Sequence, residues 1–126
     1  MPAYTIAPAA VTLGVSRKWV DNVLSHHAVP GVLQTRQGIV RRVTPEGLLN
    51  LEVAIRLNRD LALPIGRALS AAAQLIESEG GEVSIGEDPP LRIQLDLGLL
   101  RRAVNTRLAR ALEITPTPRR RRPRSR

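Results

Sequence analysis

Four polar residues near the start of the chain, Arg17, Lys18, Asp21 and Asn22, have types and spacing suited to binding a nucleic acid. Positions four apart are neighbours on the surface of an α-helix, so a helix over this segment presents two adjacent polar rows. Arginine and lysine pair with phosphates or with guanine, and asparagine can pair with adenine through two hydrogen bonds. The segment therefore predicts a helix that reads duplex DNA.

The surrounding residues predict a helix-turn-helix unit that would position this helix. Such a unit needs a small residue where the helices touch, a turn residue tolerant of positive φ, and apolar residues inside the second helix. These positions are filled by Ala10, Gly14, Val20 and Val23. Ser16 stands where the second helix needs an N-cap. An ordinary helical hairpin is the alternative interpretation.

A β-ribbon is predicted directly after this unit. Residues 31 to 35 and 39 to 43 are two short, largely apolar runs around a turn at 36 to 38 that contains Arg36 and Gly38. Neighbours on a strand face opposite ways, so we expect one of Arg41 and Arg42 to contact DNA and the other to brace the ribbon. We interpret Trp19 as a packing residue between helix and ribbon, with base stacking as the alternative.

Four segments resemble the N-terminal domain of MerR-type regulators and, more loosely, excisionases. They are Tyr4-Thr5-Ile6, Leu13-Gly14-Val15-Ser16, Gly38-Ile39-Val40-Arg41-Arg42-Val43-Thr44-Pro45-Glu46 and Leu61-Ala62-Leu63-Pro64-Ile65. The resemblance covers residues 4 to about 76. It implies a winged helix-turn-helix that binds DNA as a dimer, with the second helix in the major groove and the wing on the backbone. It matches Arg17 and Lys18 to the start of the recognition helix, and Arg41 or Arg42 to the wing arginine.

Two further helices should complete the core of this module. Thr44 and Pro45 form a helix-start signature, and the helix is expected to run to about Asn58. The next helix should begin at Pro64 and end at Glu79-Gly80-Gly81. The expected buried residues are Leu48, Leu49, Val53, Ile55 and Leu57 in the first helix, and Ile65, Leu69, Ala72, Ala73 and Ile76 in the second.

A β-hairpin and one more helix are predicted beyond residue 78. Residues 82 to 85 and 91 to 97 should form the strands around a turn at 86 to 90. Asp96 can cap a last helix whose apolar face contains Leu100, Val104, Leu108 and Ala111. Such a unit is too small for much of a core of its own. Its apolar face could therefore pack within the chain, form a dimer or bind a different protein.

Positive charge is concentrated at the two ends of the chain. The balance is +4 through Arg59, −1 from Asp60 to Leu112 and +5 from Glu113 to Arg126, for a net charge of +8. Proteins that neutralise DNA phosphates carry such basic regions. The Arg/Pro-rich tail contains Arg119, Arg120, Arg121 and Arg122 and has no apolar side chain to bury, so we expect it to be disordered when free. Its arginines would contact phosphates or enter a minor groove, with a solubilising, non-specific tail as the alternative.

Other classes of function receive little support from the sequence. The chain has no cysteine, and its two histidines, His26 and His27, are neighbours that would point about 100° apart on a helix, which is poor geometry for a shared metal. No nucleotide-binding loop or catalytic triad is evident, so we expect no enzyme, cofactor or metal. No membrane span or signal peptide is apparent, and we expect a cytoplasmic, nucleoid-associated protein.

The sequence thus predicts a mainly α protein with a small β component (α+β). A winged helix-turn-helix domain of about four helices would span residues 1 to 78, a hairpin-plus-helix unit for dimerisation or partner binding 79 to 113, and a disordered tail 114 to 126. The predicted DNA-binding residues are Ser16, Arg17, Lys18, Trp19, Asn22, Arg36, Arg41, Arg42, Arg119, Arg120, Arg121 and Arg122.

The expected function is that of a bacterial transcriptional regulator that binds specific double-stranded DNA as a homodimer. An antitoxin-type protein is the alternative, with a protein partner bound through residues 82 to 112 and autoregulation of its operon. A third possibility is an excisionase-like architectural protein.

Overall fold

The computed structural model of the protein describes residues 2 to 34 and 41 to 115. Most of these residues are helical, and the strands form two small antiparallel pairs. The prediction of a mainly α protein with a small β component is therefore confirmed at the level of fold class.

Helices α1 (Ile6–Leu13) and α2 (Arg17–His26) are joined by a tight turn. Gly14 adopts the left-handed conformation with φ of 71°, which glycine reaches without the steric cost of a Cβ atom. Ala10, Val20 and Val23 are buried between the two helices and the rest of the protein, as predicted. Burial of this face of α2 leaves its opposite side in solvent.

Strands β1 (Val32–Leu33) and β2 (Arg42–Val43) follow α2 and pair antiparallel. They lie within the two predicted strands but are shorter, and the predicted turn at 36 to 38 lies outside the described residues. Tyr4 pairs with Val43 through two backbone hydrogen bonds of 2.8 and 2.7 Å, which ties the chain before α1 to the ribbon.

The base of the ribbon is fixed to the start of α3 (Pro45–Leu61). The Thr44 hydroxyl donates to the carbonyl of Gly31 at 2.7 Å and accepts from the amide of Gly47 at 3.1 Å. Gly31 has φ of 86°, and a Cβ atom built on it would lie 2.7 Å from the Cα of Gly47. Glycine is required there both for its backbone conformation and for the close approach.

Helix α3 is buried on every side over residues 47 to 54, whereas its last turn, residues 58 to 61, is exposed. It includes the expected buried residues Leu48, Leu49, Val53 and Leu57, but Ile55 is only half-buried. The single apolar stripe was the wrong expectation, because α1, α4 and α5 all pack around this helix. The additional buried residues are Asn50, Leu51, Glu52 and Ala54. The helix continues to Leu61, beyond the expected end, and Ala62 follows it in the left-handed conformation with φ of 57°.

Helix α4 (Ile65–Glu77) packs between α3 and the second strand pair. Leu69 and Ala72 are buried as predicted, whereas Ile65, Ala73 and Ile76 are half-buried. Contact with α3 on one side and with strand β3 on the other rotates the buried face toward Ala68, Ala71 and Leu75.

The C-terminal part contains β3 (Glu82–Ile85), β4 (Leu91–Gln94) and α5 (Leu97–Ile114). The predicted hairpin is confirmed, although β4 ends at Gln94 rather than at residue 97. The Asp96 carboxylate caps α5 by accepting from the amide of Leu99 at 3.0 Å.

The apolar face of α5 packs against α1 and α3 of the same chain. Its four predicted residues, Leu100, Val104, Leu108 and Ala111, are all buried. Of the three possibilities for this face, packing within the chain is the one observed. A dimeric or partner-binding role for residues 79 to 113, and the boundary at 78, stay predictions.

Ion pairs also connect α3 to α5. Glu52, with a side chain only 5% exposed, is 2.7 Å from the Arg56 guanidinium and 2.9 Å from that of Arg107. A buried carboxylate is stable only when opposite charge or hydrogen bonds replace its lost hydration. The sequence pattern offers no signal for this burial, because Glu52 is not part of the predicted apolar stripe of the helix.

Within the part of the chain that the structure describes, no helix is long and apolar enough to cross a membrane.

Replacing Gly31 should destabilise the fold more than replacing a glycine of similar backbone conformation in open space. Gly86 has φ of 88°, and a Cβ atom there would contact nothing within 4 Å. We expect Gly86→Ala to lower the free energy of unfolding by about 1–2 kcal/mol. Gly31→Ala should cost about 3 kcal/mol or more, because the backbone of Gly47 must also move. Urea unfolding of both variants measures the difference, and equal losses would contradict the close packing.

Candidate nucleic-acid interface

The exposed side of α2 begins with the charged pair Arg17 and Lys18 and continues to Asn22. Burial of Val20, Val23 and Leu24 fixes the rotation of the helix and turns these three side chains outward. Among the described residues, none of the three has an ion pair or a side-chain hydrogen bond. Their polar groups are therefore directed to solvent, where a ligand can reach them.

Ser16 is placed at the N-cap of α2, where its hydroxyl oxygen accepts from the amide of Trp19 at 3.0 Å. The oxygen thus satisfies one of the free amides at the start of the helix. The side chain remains exposed. Ser16 supports the position of Arg17 and Lys18 whether or not it contacts a ligand itself.

The indole of Trp19 is half-buried and packs against the hydrophobic core. This placement fits the interpretation of Trp19 as a packing residue. Contact of its exposed part with DNA stays a prediction.

The two arginines of the ribbon have different environments. Arg41 donates from a terminal nitrogen to a carboxylate oxygen of Asp21 at 2.8 Å, and from Nε to the side-chain oxygen of Gln34 at 2.6 Å. Its side chain is 20% exposed, whereas that of Asp21 is 59% exposed. Arg41 therefore connects both sides of the ribbon to α2, which is the bracing role expected for one of the pair.

Arg42 lies opposite Leu33 in the ribbon and is exposed. It has no ion pair or side-chain hydrogen bond within the described ranges 2–34 and 41–115. We call the exposed set Arg17, Lys18, Asn22 and Arg42 the basic face. The Asp21–Arg41 pair links α2, which carries Arg17, Lys18 and Asn22, to the ribbon, which carries Arg42.

Five of the predicted DNA-binding residues, Arg36, Arg119, Arg120, Arg121 and Arg122, lie outside the described residues. The basic face, together with Ser16, Trp19 and Arg41, is therefore the part of the predicted site for which positions are known.

The two histidines lie near the C-terminal end of α2 and have separate environments. His26 Nδ1 is 2.8 Å from the backbone oxygen of Asn22. His27 packs close to Gly66 at the start of α4, where a built Cβ atom would be 3.4 Å from the imidazole Cε1. No group of three or more metal-ligating side chains is found in the described part of the chain. Neither histidine is arranged with others to hold a metal there.

The predicted DNA-binding residues do not include Asp21 or Gln34. The sequence places Asp21 on the outward face of the helix beside Arg17, Lys18 and Asn22, but nothing local indicates that its partner stands 20 positions later. The sequence feature that could have identified this pair is an acidic residue on an otherwise basic helix face together with an arginine in the adjacent ribbon.

Comparison of the chain with models of known protein families, with curated proteins and with solved structures finds no match.

The N-cap can be tested without assuming any ligand. We expect Ser16→Ala to lower the free energy of unfolding by about 1 kcal/mol, because the amide of Trp19 loses its acceptor. Ser16→Asp is the matched control, since aspartate caps a helix equally well. Thermal or urea unfolding measures both. A loss of the same size in the aspartate variant would show that the hydroxyl does not act as the cap.

Proposed function

We propose that this protein is a winged helix-turn-helix transcriptional regulator that binds specific double-stranded DNA as a homodimer. Helix α2 would enter the major groove, and the β1–β2 ribbon would act as a wing along the phosphate backbone. The observation that carries the proposal is the Arg41–Asp21 ion pair of 2.8 Å, which holds a basic ribbon beside the exposed polar side of α2.

The proposed reading of DNA depends on residues 17 to 22, the first part of α2. An α-helix fits the major groove of B-DNA, and helix-turn-helix proteins contact base edges with residues early in the second helix. Arg17, Lys18 and Asn22 occupy this part of α2 and point to solvent. Arginine and lysine can recognise guanine there, and asparagine can recognise adenine.

The proposed wing supplies charge rather than sequence information. Arg42 extends from β2 on the exposed side of the ribbon. A cation in this position neutralises a phosphate and releases counterions, which strengthens binding to any duplex. The division between reading helix and charged wing agrees with the resemblance to MerR-type regulators.

The proposed homodimer is supported by exposed apolar side chains on α5. Leu99 near its start is 60% exposed, and Ile114 at its end is 66% exposed. Large apolar side chains of this kind become buried at the centre of protein interfaces. The molecular mass in solution tests this part of the proposal separately from DNA binding.

DNA recognition can be tested with duplexes selected from a random-sequence library by the full-length protein. Fluorescence anisotropy over a salt series would compare the selected duplex with a scrambled one. We expect Arg17→Ala, Lys18→Ala and Asn22→Ala each to weaken binding to the selected duplex by about 1–3 kcal/mol, and to weaken binding to the scrambled duplex less. Arg42→Ala should weaken both duplexes and reduce the salt slope by about 0.9.

Arg110→Ala is the matched control, because this arginine is exposed on α5 and lies outside the basic face. It should change neither the preference nor the affinity appreciably. Equal losses for selected and scrambled DNA in the α2 variants would contradict the proposed reading role. Failure to select any preferred duplex would overturn specific DNA binding.

A further inference from the structure

An acidic side chain, Asp21, stands within the surface proposed to bind DNA. It lies one helical turn after Arg17 and next to Asn22, and its carboxylate is 59% exposed. A carboxylate in this position adds nothing to the attraction for phosphates and neutralises a cation that would otherwise strengthen binding to every duplex. A role of Asp21 in DNA binding must therefore lie in discrimination between DNA sequences rather than in higher affinity.

Stability of the fold does not provide that explanation. Exposed ion pairs contribute little to folding, because water screens the attraction and the side chains lose conformational freedom. The base of the ribbon is already held by the hydrogen bonds of Thr44 and by the pairing of Tyr4 with Val43. The Asp21–Arg41 pair adds a second attachment further along the ribbon, on the side that faces α2.

We propose that Asp21 determines the specificity of DNA binding by holding Arg41 in an internal ion pair, an inference that rests on the proposed function. Asp21 and Gln34 together accept from both Nε and a terminal nitrogen of Arg41. The guanidinium is consequently engaged within the protein, and the Arg41 side chain as a whole is 20% exposed. Arg41 acts here as a positioning residue, and Arg42 beside it remains available to phosphate.

Two effects follow from this arrangement. The ribbon keeps one angle relative to α2, so phosphate contacts are made only when the side chains of α2 are in register with the bases. In addition, a cation that would strengthen binding to all sequences is neutralised. Both effects favour discrimination between sequences at the expense of total affinity.

Removal of the Asp21 charge should therefore turn Arg41 into an additional phosphate ligand. For Asp21→Asn, the salt slope on a scrambled duplex should steepen by up to roughly 0.9. If Asp21→Asn and the wild-type protein bind the scrambled duplex equally at 1 M salt, this difference in slope makes the affinity of the variant up to about eightfold higher at 0.1 M salt. The selected duplex should gain less, so that the ratio of the two affinities falls.

The experiment uses full-length protein, the selected and scrambled duplexes, and anisotropy over a salt series. Asp60→Asn is the matched control, because Asp60 forms an exposed ion pair of 3.1 Å with Arg59 at the end of α3, outside the basic face. It changes the net charge by the same amount. The melting temperature of Asp21→Asn should fall by less than about 5 °C, which separates the effect on DNA from unfolding.

Two double variants test whether Asp21 acts through Arg41. In Asp21→Asn/Arg41→Gln the gain on scrambled DNA should disappear, because the released cation is absent. In Asp21→Arg/Arg41→Asp the ion pair is rebuilt with its charges exchanged, and part of the lost selectivity should return. A gain that persists with Gln at position 41 would overturn the inference and assign the effect to the carboxylate alone.

Failure of the inference and failure of the proposed function give different results. Wild-type protein that prefers the selected duplex, together with equal behaviour of Asp21→Asn and Asp60→Asn, overturns the inference alone. Wild-type protein without any preference overturns the proposed function and the inference with it. A lower preference in Asp21→Asn but not in Asp60→Asn supports both.

Discussion

The enclosed helix α3 is the element on which the rest of the structure depends. Helices α1, α4 and α5 and strand β2 all contact it, so its residues 47 to 54 are buried all round while its last turn lies in solvent. A helix enclosed in this way must accommodate its polar residues as well as its apolar ones. Glu52 is accommodated by Arg56 and Arg107, and the second of these arginines also joins α5 to the core. Packing and charge neutralisation therefore act at the same place.

The basic face depends on this core in two stages. Thr44 connects the ribbon to the first turn of α3 through hydrogen bonds to Gly31 and Gly47, so the base of the ribbon has little freedom. Helix α2 is held by its buried face and by the turn at Gly14. Only the Arg41–Asp21 pair connects ribbon and helix directly through charged side chains in the described part of the chain. The contacts at the base of the ribbon are buried or part-buried, and the ion pair between ribbon and helix is at the surface.

Much of the fold could be predicted because its signals are local. The N-caps Ser16, Thr44 and Asp96 each satisfy an amide three residues later, so neighbouring residues suffice to recognise them. The apolar face of α5 follows from a helical spacing that its own residues show. The rotation of α4 and the enclosure of α3 could not be predicted in this way. The spacing of apolar residues identifies the buried face of a helix only when the opposite face is polar and lies in solvent. Each of these two helices contacts more than one element, so the spacing within the helix does not define its buried face.

For the candidate site, the sequence by itself determined which residues of α2 face outward and that Arg41 and Arg42, as neighbours near a strand, lie in different environments. Helix and strand periodicities fix these properties within a few residues. The tertiary structure alone decided that Arg41 is the bracing arginine and that Asp21 is its partner. It also decided that α5 covers α1 and α3 of its own chain. Each of these contacts joins residues far apart in the chain, and their meeting depends on how whole elements pack.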